Sequence, residues 1–317
     1  MLTYFQAVAI GLLQGVTELF PVSSLGHSVL VPALIGGDWQ HLVTESAQEN
    51  SESSTYLSFI VALHVATATA LLLYFWRDWL RIISAFIRSV VRMVPKGQWD
   101  VTDSDERLAW LIVIATIPVG ITGLLLEHVF RTLFAKPLAA AVFLTINGGI
   151  LLVGERLRRQ AEVRTAEVLA QRRSVGALAV SESGGTGHRQ LSTLDYREAG
   201  VIGFFQTFAL LAGISRSGIT MVAGLLRGLD HEDAAKFAFL LATPVIFAAG
   251  VLKLPNLFGE GGAGIHGQVV AGSVVAAVGA YISVAFLVRY FRTRTLIPFG
   301  VYCLVGGAFC IVRFAAF

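Results

Sequence analysis

The sequence predicts an all-α polytopic membrane protein, and three observations support this fold class. Hydrophobic residues fill 55% of the 317 positions and charged residues only 14%. The mean hydropathy of +0.70 lies well outside the range of soluble globular proteins. Six apolar stretches are long enough to cross a bilayer as helices, which takes roughly 17 to 25 residues. These six full spans are predicted at 56–76, 108–126, 138–154, 234–252, 268–288 and 296–312.

Two further apolar regions are each interrupted near the middle, and we predict that they form re-entrant helix pairs. Residues 2–36 contain the sequence PVSS at 21–24, and residues 198–229 contain GISRS at 213–217. The pieces on either side are mostly too short to cross a bilayer alone, so each pair is expected to return to the side from which it entered. Pairs and spans together predict about ten helices.

The order of these elements predicts two inverted-topology repeats. Each repeat is one re-entrant pair followed by three spans, and an odd number of spans inverts the second repeat. The first repeat is expected at 1–154, a hydrophilic linker at 155–197 and the second repeat at 198–317. A shift of 192 positions aligns six identical residues within 10–26, which suggests an internal duplication. The linker is expected to be a helical stub followed by a flexible loop.

The positions of Lys and Arg predict the orientation in the membrane. Of the 24 basic residues, 19 lie in loops on one side of this topology, at 77–107, 155–197, 227–236 and 289–295. The positive-inside rule makes that side cytoplasmic and places both termini and the acidic loop 37–55 outside. Because the basic residues lie between spans, no nucleic-acid partner is expected for the net charge of +3. Since no signal-peptide pattern is present, the N-terminus is expected to stay in the mature protein.

The first interruption carries ionisable and hydroxyl side chains within an apolar region. In QGVTELFPVSSLGH, Gln14 and Glu18 are four residues apart and share one helical face, which Pro21 then ends. Ser24 is expected to cap the next helix, with His27 on its first turn. A charge near the bilayer centre costs at least about 2.5 kcal/mol, so Glu18 and His27 are functional candidates. A kinked helix with a capping serine is the alternative, but it explains neither Glu18 nor His27.

The second interruption holds an arginine among hydroxyl residues. In GISRSGIT, two glycines bracket Ser215, Arg216 and Ser217, and Thr220 follows four residues after Arg216. If a helix begins near Ser217, its free N–H groups and the neighbouring guanidinium would bind an oxyanion or a phosphate. The planar fork of Arg can bind two phosphate oxygens at once. A structural arginine paired with Glu18 is the alternative, and it does not exclude catalysis.

The two interruptions are expected to meet near the middle of the membrane. Inverted repeats with discontinuous helices usually place their polar site at such a meeting point. There, two helix N-termini, an arginine and several hydroxyls would face a carboxylate and an imidazole, which suits a phosphate group carried by a lipid. His64 could reach the same cavity, but a histidine satisfied within the core is the favoured interpretation.

The two motifs resemble those of a known family, the undecaprenyl-diphosphatases of the bacterial envelope, also called bacitracin-resistance proteins. The resemblance rests on QGVTELFPVSSLGH and GISRSGIT, about 190 residues apart, and it extends over both repeats. It implies a multi-pass protein of the bacterial inner membrane that removes the terminal phosphate of a polyprenyl diphosphate to regenerate the carrier of cell-wall synthesis. It also implies a divalent cation, Mg²⁺ or Ca²⁺, and a site that opens to the outer face.

The resemblance further implies roles for individual residues. Glu18 and Gln14 would bind the metal, and Glu18 would also take part in acid–base chemistry. Ser24 and His27 would form the nucleophile and base pair. The residues expected to hold the diphosphate are Ser23, Ser215, Arg216, Ser217 and Thr220, with Arg216 also catalytic. Gln14 stands where many relatives have a second Glu, which would weaken metal binding, and Ala212 replaces a usual Pro.

The sequence leaves the mechanism and one rival function open. Either Ser24, activated by His27, or a water activated by Glu18 or the metal attacks the terminal phosphorus. The alternative function is a lipid-phosphate transporter or flippase, because inverted repeats and broken helices are typical of transporters. A transporter, however, has no evident need for a serine and a histidine beside a carboxylate. A homo-oligomer is compatible with the sequence.

Overall fold

Twelve α-helices make up most of the chain that the computed structural model describes, which is residues 2–48, 55–96, 101–126, 136–174, 189–258 and 264–316. Six of these helices are long and apolar enough to cross a membrane, which confirms the predicted number of spans. They are α4 (Thr55–Tyr74), α6 (Ser104–Leu125), α7 (Pro137–Ser174), α10 (His231–Phe258), α11 (His266–Tyr290) and α12 (Ile297–Ala316). The all-α polytopic fold class is therefore confirmed.

Both interrupted regions form two short helices, as the sequence predicts. The first region contains α1 (Tyr4–Thr17) and α2 (Ser24–Ile35), and the second contains α8 (Tyr196–Thr207) and α9 (Arg216–Leu226). None of these four helices exceeds 14 residues, whereas a bilayer crossing takes roughly 20. The boundaries of the two repeats stay a prediction.

Two predicted loops contain helices instead. The acidic loop 37–55 includes α3 (Gly37–Gln48), and the basic loop 77–107 includes all but the first residue of α5 (Trp76–Lys96). Exposed apolar residues recur along α5 every three or four positions, with arginines among them. These apolar residues are Leu80, Ile83, Ile87, Val91 and Val94. This pattern is typical of a helix that lies in the membrane interface with its apolar face towards the lipid. The charged residues of α5 interrupt its sequence, so it contains no long apolar run by which it could be recognised. For this reason the estimate of about ten helices is too low.

The helical stub predicted at the start of the linker continues α7. The third span was predicted to end at residue 154, but α7 runs without interruption to Ser174. The segment 175–188, which carries most of the predicted flexible loop, lies outside the described residues. The described first part of the linker, residues 155–174, is thus an extension of a spanning helix.

The end of the linker is tied to the second hairpin, which we define as α8, the turn 208–215 and α9. The Arg189 guanidinium donates to Glu198 Oε1 at 2.7 Å and to the Arg227 carbonyl oxygen at 3.1 Å. These bonds join the start of α8 to the residue that follows α9. The same guanidinium lowers the pKa of the Glu198 carboxyl. The hairpin is therefore closed at its base by one side chain.

Small residues allow the short helices to lie directly on the spans. At Gly11 and Gly15 of α1, an added Cβ would collide with backbone carbonyl groups of α11, at Gly272 and Ala276. Helices within a membrane associate through close packing of this kind. The hydrophobic effect does not drive them together there, because lipid chains are as apolar as the side chains. At the turn of the second hairpin, Gly213 lies against the backbone of α7 with φ of +115°. The positions of both hairpins are therefore set by backbone contact.

We expect Gly213→Ala to destabilise the protein by about 2 to 4 kcal/mol, from backbone strain and overpacking together. A Cβ at this position would adopt a φ that L residues rarely take, and it would lie 2.7 Å from Leu144 N. Thermal unfolding in detergent measures the effect. Gly120→Ala is the matched control, because no atom lies within 4 Å of its Cβ position. Equal melting temperatures for the two variants would contradict the close packing of this turn.

Candidate active site

The first hairpin, which we define as α1, the turn 18–23 and α2, is organised by Ser23. The Ser23 hydroxyl caps α2 by accepting from Gly26 N at 3.2 Å, and it also accepts from Gly213 N of the second hairpin at 3.1 Å. Its φ of +70° is unusual for a residue other than glycine, and such strain is found mainly at functional sites. The expectation that Ser24 caps this helix was wrong, because α2 begins one residue earlier than predicted and Ser24 is its first residue.

The second hairpin presents the N-terminus of α9 at the same place. The Ser215 hydroxyl caps α9 by accepting from Gly218 N at 3.1 Å. Asn147 of α7 links the hairpins, since its Oδ1 accepts from Ser215 N at 3.0 Å and its Nδ2 donates to the Pro21 carbonyl oxygen at 3.1 Å. Asn147 is fully buried. Two helix N-termini, each a favourable site for an anion, are thereby fixed relative to each other.

Glu18 is the centre of a polar cluster between the hairpins. Its Oε1 forms an ion pair with Arg216 Nη2, which joins residues 198 positions apart in the chain. Its Oε2 accepts from the Ser24 hydroxyl and from Gln14 Nε2, the latter at 2.9 Å. His64 Nε2 lies 3.3 Å from the same oxygen. The structure therefore brings the two sequence motifs together around one buried carboxylate.

This cluster opens into a cavity of about 240 Å³. The polar residues that line it are Glu18, Ser23, Ser24, His64, Gln206, Ser215 and Arg216. The rest of the lining is apolar and comes mainly from α4, the turn of the second hairpin and α10. A cavity with a charged end and an apolar wall is suited to a lipid with an anionic headgroup, because each part of the ligand finds its own kind of surface.

Comparison of the sequence with known proteins identifies the family. Residues 7–309 match the family model described as bacitracin resistance protein BacA. This chain belongs to the BacA family. It is 61% identical to undecaprenyl-diphosphatase 2 of Frankia alni, over 99% of this chain and 98% of the relative. It is 54% identical to the undecaprenyl-diphosphatase of Mycolicibacterium paratuberculosis, again over 99% and 98% of the two chains.

His27 has a different set of partners in this BacA family member from the one expected. Its Nδ1 donates to the Ser23 carbonyl oxygen at 2.7 Å, and its Nε2 lies 2.8 Å from the Tyr302 hydroxyl. A histidine with both ring nitrogens engaged in this way does not pair with Ser24, whose hydroxyl donates to Glu18 instead. The expected pairing of Ser24 with His27 is therefore not the arrangement in the structure. His27 braces the turn of the first hairpin, one helical turn after the residue it binds.

His64 belongs to the site, so the preference for a satisfied core histidine was wrong. Its Nδ1 donates to the Ile60 carbonyl oxygen at 2.8 Å, which leaves Nε2 facing Glu18. A neutral ring with Nδ1 protonated carries a lone pair on Nε2. The contact between Nε2 and the carboxylate of Glu18 is therefore favourable only when one proton lies between them. The pair is a place where a proton can be held beside Ser24.

The remaining predicted residues lie around the cluster but do not line the cavity. Ser217 Oγ is 3.1 Å from Ser215 Oγ and 3.3 Å from the Phe20 carbonyl oxygen. Thr220 Oγ1 and Gln14 Oε1 are buried and have no hydrogen-bond partner among the described residues. Unpaired buried polar atoms destabilise a folded protein. Gln14 nevertheless contacts Glu18 through its Nε2, so its unpaired oxygen lies next to the cluster.

Proposed function

We propose that this chain is an integral membrane phosphatase that hydrolyses undecaprenyl diphosphate to undecaprenyl phosphate and inorganic phosphate. This reaction recycles the lipid carrier of cell-wall synthesis. Relatives that bear the name undecaprenyl-diphosphatase match almost the whole chain, at 61% and 54% identity. The single observation that carries the proposal is the contact of Glu18 with both Arg216 and Ser24 at the charged end of the cavity.

We assign Arg216 the role of binding the diphosphate oxygens and stabilising their charge. Phosphoryl transfer is catalysed mainly by positioning and by stabilising the charge on the phosphate oxygens. The Arg216 guanidinium lies at the N-terminus of α9, where backbone N–H groups also favour an anion. In the structure this guanidinium pairs with Glu18. A bound diphosphate would share it, since a guanidinium can bind two oxygens at once.

We assign Glu18 the role of general base, which accepts the proton of the attacking nucleophile. If Ser24 attacks, its Oγ forms a bond to the terminal phosphorus while its proton moves to Glu18 Oε2, to which it already donates. The bond from that phosphorus to the bridging oxygen breaks, and the lipid monophosphate leaves. Water then hydrolyses the phosphoserine. If instead a water attacks, Glu18 accepts the proton of that water and the phosphate is released directly. Recovery of a phosphoserine at Ser24 would select the first route.

The divalent cation implied by the resemblance fits these residues as a cation shared with the substrate. The oxygen atoms available to it are the Glu18 carboxylate and the unpaired Gln14 Oε1. The described residues contain no group of three His, Cys, Asp or Glu side chains that could hold a metal ion. Mg²⁺ is commonly held by one or two carboxylates together with substrate phosphates. We therefore propose that Glu18 and Gln14 hold Mg²⁺ or Ca²⁺ with the diphosphate, where it would neutralise phosphate charge.

We also propose that the protein lies in the bacterial inner membrane with its N-terminus and cavity opening on the outer face. The support is the distribution of charge, since 19 of the 24 basic residues lie on the opposite side of the topology. The helix α5 adds to this side, because its arginines would lie at an anionic membrane surface. Homo-oligomerisation stays a prediction, which light scattering of the purified protein would test.

Release of inorganic phosphate by the purified protein in detergent tests the proposed function. We expect release from undecaprenyl diphosphate in the presence of Mg²⁺ or Ca²⁺, and loss of this release when a chelator removes the cation. Transport is impossible in detergent, so a lipid-phosphate transporter would release no phosphate. A folded preparation that gives no phosphate with either cation would contradict the proposal and favour the transporter.

A further inference from the structure

Gln206 is a buried amide that the described chain leaves unpaired. It lies near the end of α8, has 0% exposure and lines the cavity that contains Glu18 and Arg216. Neither its Oε1 nor its Nε2 has a hydrogen-bond partner among the described residues. Burial of an amide without partners destabilises a protein. A side chain of this kind on the wall of a cavity indicates a hydrogen-bonding contact that a ligand completes.

The comparison of the two hairpins shows which atoms of Gln206 are available. The shift of 192 positions pairs Gln206 with Gln14 and places Leu210 where the first hairpin has Glu18. Gln14 Nε2 is occupied, because it donates to Glu18 Oε2 at 2.9 Å. Leu210 cannot accept a hydrogen bond, and it lines the cavity beside Gln206. The two N–H groups of Gln206 are therefore free for an anionic ligand, in contrast to those of Gln14.

The packing of α8 holds Gln206 in place. One turn before it, Gly203 lies directly against the backbone of Ala115 in α6, with no room for a side chain. The amide is therefore presented by a helix that is fixed against a spanning helix. Ala209 and Leu210, which follow it by three and four residues, are apolar and line the same cavity. Gln206 thus adjoins an apolar part of the lining, as the phosphate next to the lipid chain would.

We propose that the Gln206 amide donates to the phosphate that stays on the lipid, whereas Glu18, Ser24 and Arg216 act on the terminal phosphate. This assignment rests on the proposed function. It makes Gln206 a binding residue for both the diphosphate substrate and the monophosphate product. It also divides the site between the hairpins, because the first supplies the carboxylate and the second supplies donors to the anion. The ligand class is an isoprenyl phosphate or diphosphate.

The test is the variant Gln206→Met, which keeps the length of the side chain and removes both donors. We expect the KM for undecaprenyl diphosphate to rise about 10-fold, the usual effect of losing one hydrogen bond to a charged group. Product inhibition by farnesyl phosphate, a short-chain isoprenyl monophosphate, should weaken by a similar factor. Inhibition by inorganic phosphate should not change, since it occupies the terminal subsite. The melting temperature of the ligand-free variant should equal or exceed that of the unaltered protein.

Gln6→Met is the matched control. Gln6 is also buried, at 5% exposure, but its Oε1 accepts from Thr3 N at 2.9 Å and from Thr3 Oγ1 at 3.1 Å. It belongs to the capping box of α1 and is not among the residues that line the cavity. We expect this variant to melt at a lower temperature with an unchanged KM, which is the reverse of the pattern expected at Gln206.

The outcomes separate this inference from the proposed function. An unchanged KM and unchanged inhibition by farnesyl phosphate in Gln206→Met would overturn the inference while the function stands. A lower melting temperature with proportional loss of all activity would assign Gln206 a structural role and also overturn it. If the unaltered protein releases no phosphate, binding can still be tested through the rise in melting temperature that farnesyl phosphate causes. The inference predicts a smaller rise in Gln206→Met than in the unaltered protein, and an equal rise would overturn it. Should Gln206→Met fail to fold, Gln206→Glu, which keeps the shape, is expected to lose farnesyl phosphate binding.

Discussion

Arg216→Met will reduce the kcat/KM for undecaprenyl diphosphate by about 100- to 1,000-fold, the usual effect of removing one donor to a developing oxyanion. The guanidinium is the positive group that reaches the carboxylate of Glu18 across the two hairpins. Arg216→Lys should recover part of the loss, because it restores the charge but not the planar fork. Steady-state phosphate release in detergent measures both variants.

Stability must be measured alongside, because the same variant leaves Glu18 buried without its ion-pair partner. Removal of one member of a buried pair typically destabilises by about 3 to 5 kcal/mol. The double variant Glu18→Gln/Arg216→Met removes both charges, so its melting temperature should recover while its activity stays low. Near-normal turnover in Arg216→Met, with a normal melting temperature, would contradict our assignment of this residue to the diphosphate.

Glu18→Gln will reduce kcat by about 100- to 10,000-fold, the usual contribution of a general base. The substitution keeps the size of the side chain but removes the charge that accepts the proton from Ser24 or from water. Arg216 would still bind the diphosphate, and the amide oxygen of the variant could still coordinate the cation, so the loss is expected in kcat more than in KM. The measurement is phosphate release over a range of substrate concentrations, with the same cation present throughout.

Glu155→Gln is the matched control for this prediction. Glu155 is likewise a buried glutamate beside a histidine, with His231 Nε2 2.8 Å from its Oε2. It lies in α7 and is not among the residues that line the cavity with Glu18. We expect Glu155→Gln to lower the melting temperature with little change in kcat. Equal losses of kcat in the two variants would mean that Glu18 acts through stability and not through chemistry.

The spanning helices could be predicted from the sequence because a bilayer demands long apolar runs. All six were found, and both interruptions were placed correctly, since Pro21 and Gly213 mark breaks that are visible in the letters. The helix α5 was missed because only one of its faces is apolar, so its sequence contains no long apolar run. The end of α7 was placed too early because the helix continues after its apolar part ends.

The site was predictable only in part, because a linear motif does not show which atoms meet. Glu18, Ser24 and Arg216 were chosen as charged or hydroxyl groups at the breaks, and they do come together. The pairing of Ser24 with His27 was wrong because His27 reaches back to the Ser23 carbonyl oxygen one turn earlier. His64 and Asn147 belong to spanning helices, so their contacts arise only when those helices pack on the hairpins.

Gln206 shows the same limit in another form. The internal alignment already paired it with Gln14, but a pairing of two glutamines suggests equal roles. Their difference depends on a third position, where Glu18 in one hairpin corresponds to Leu210 in the other. Only the structure shows that this change leaves one amide bonded and the other unpaired. A role for Gln206 could therefore be inferred only after the contacts of both hairpins were known.

The most direct measurement is a structure of the protein with a non-hydrolysable methylene diphosphonate analogue of the lipid substrate. The account predicts that the headgroup lies between the turns of the two hairpins, bound by Arg216 and within reach of Ser24 and Glu18, with its chain along the apolar wall. A headgroup that is bound by one hairpin alone, or that lies outside this cavity, would contradict the account.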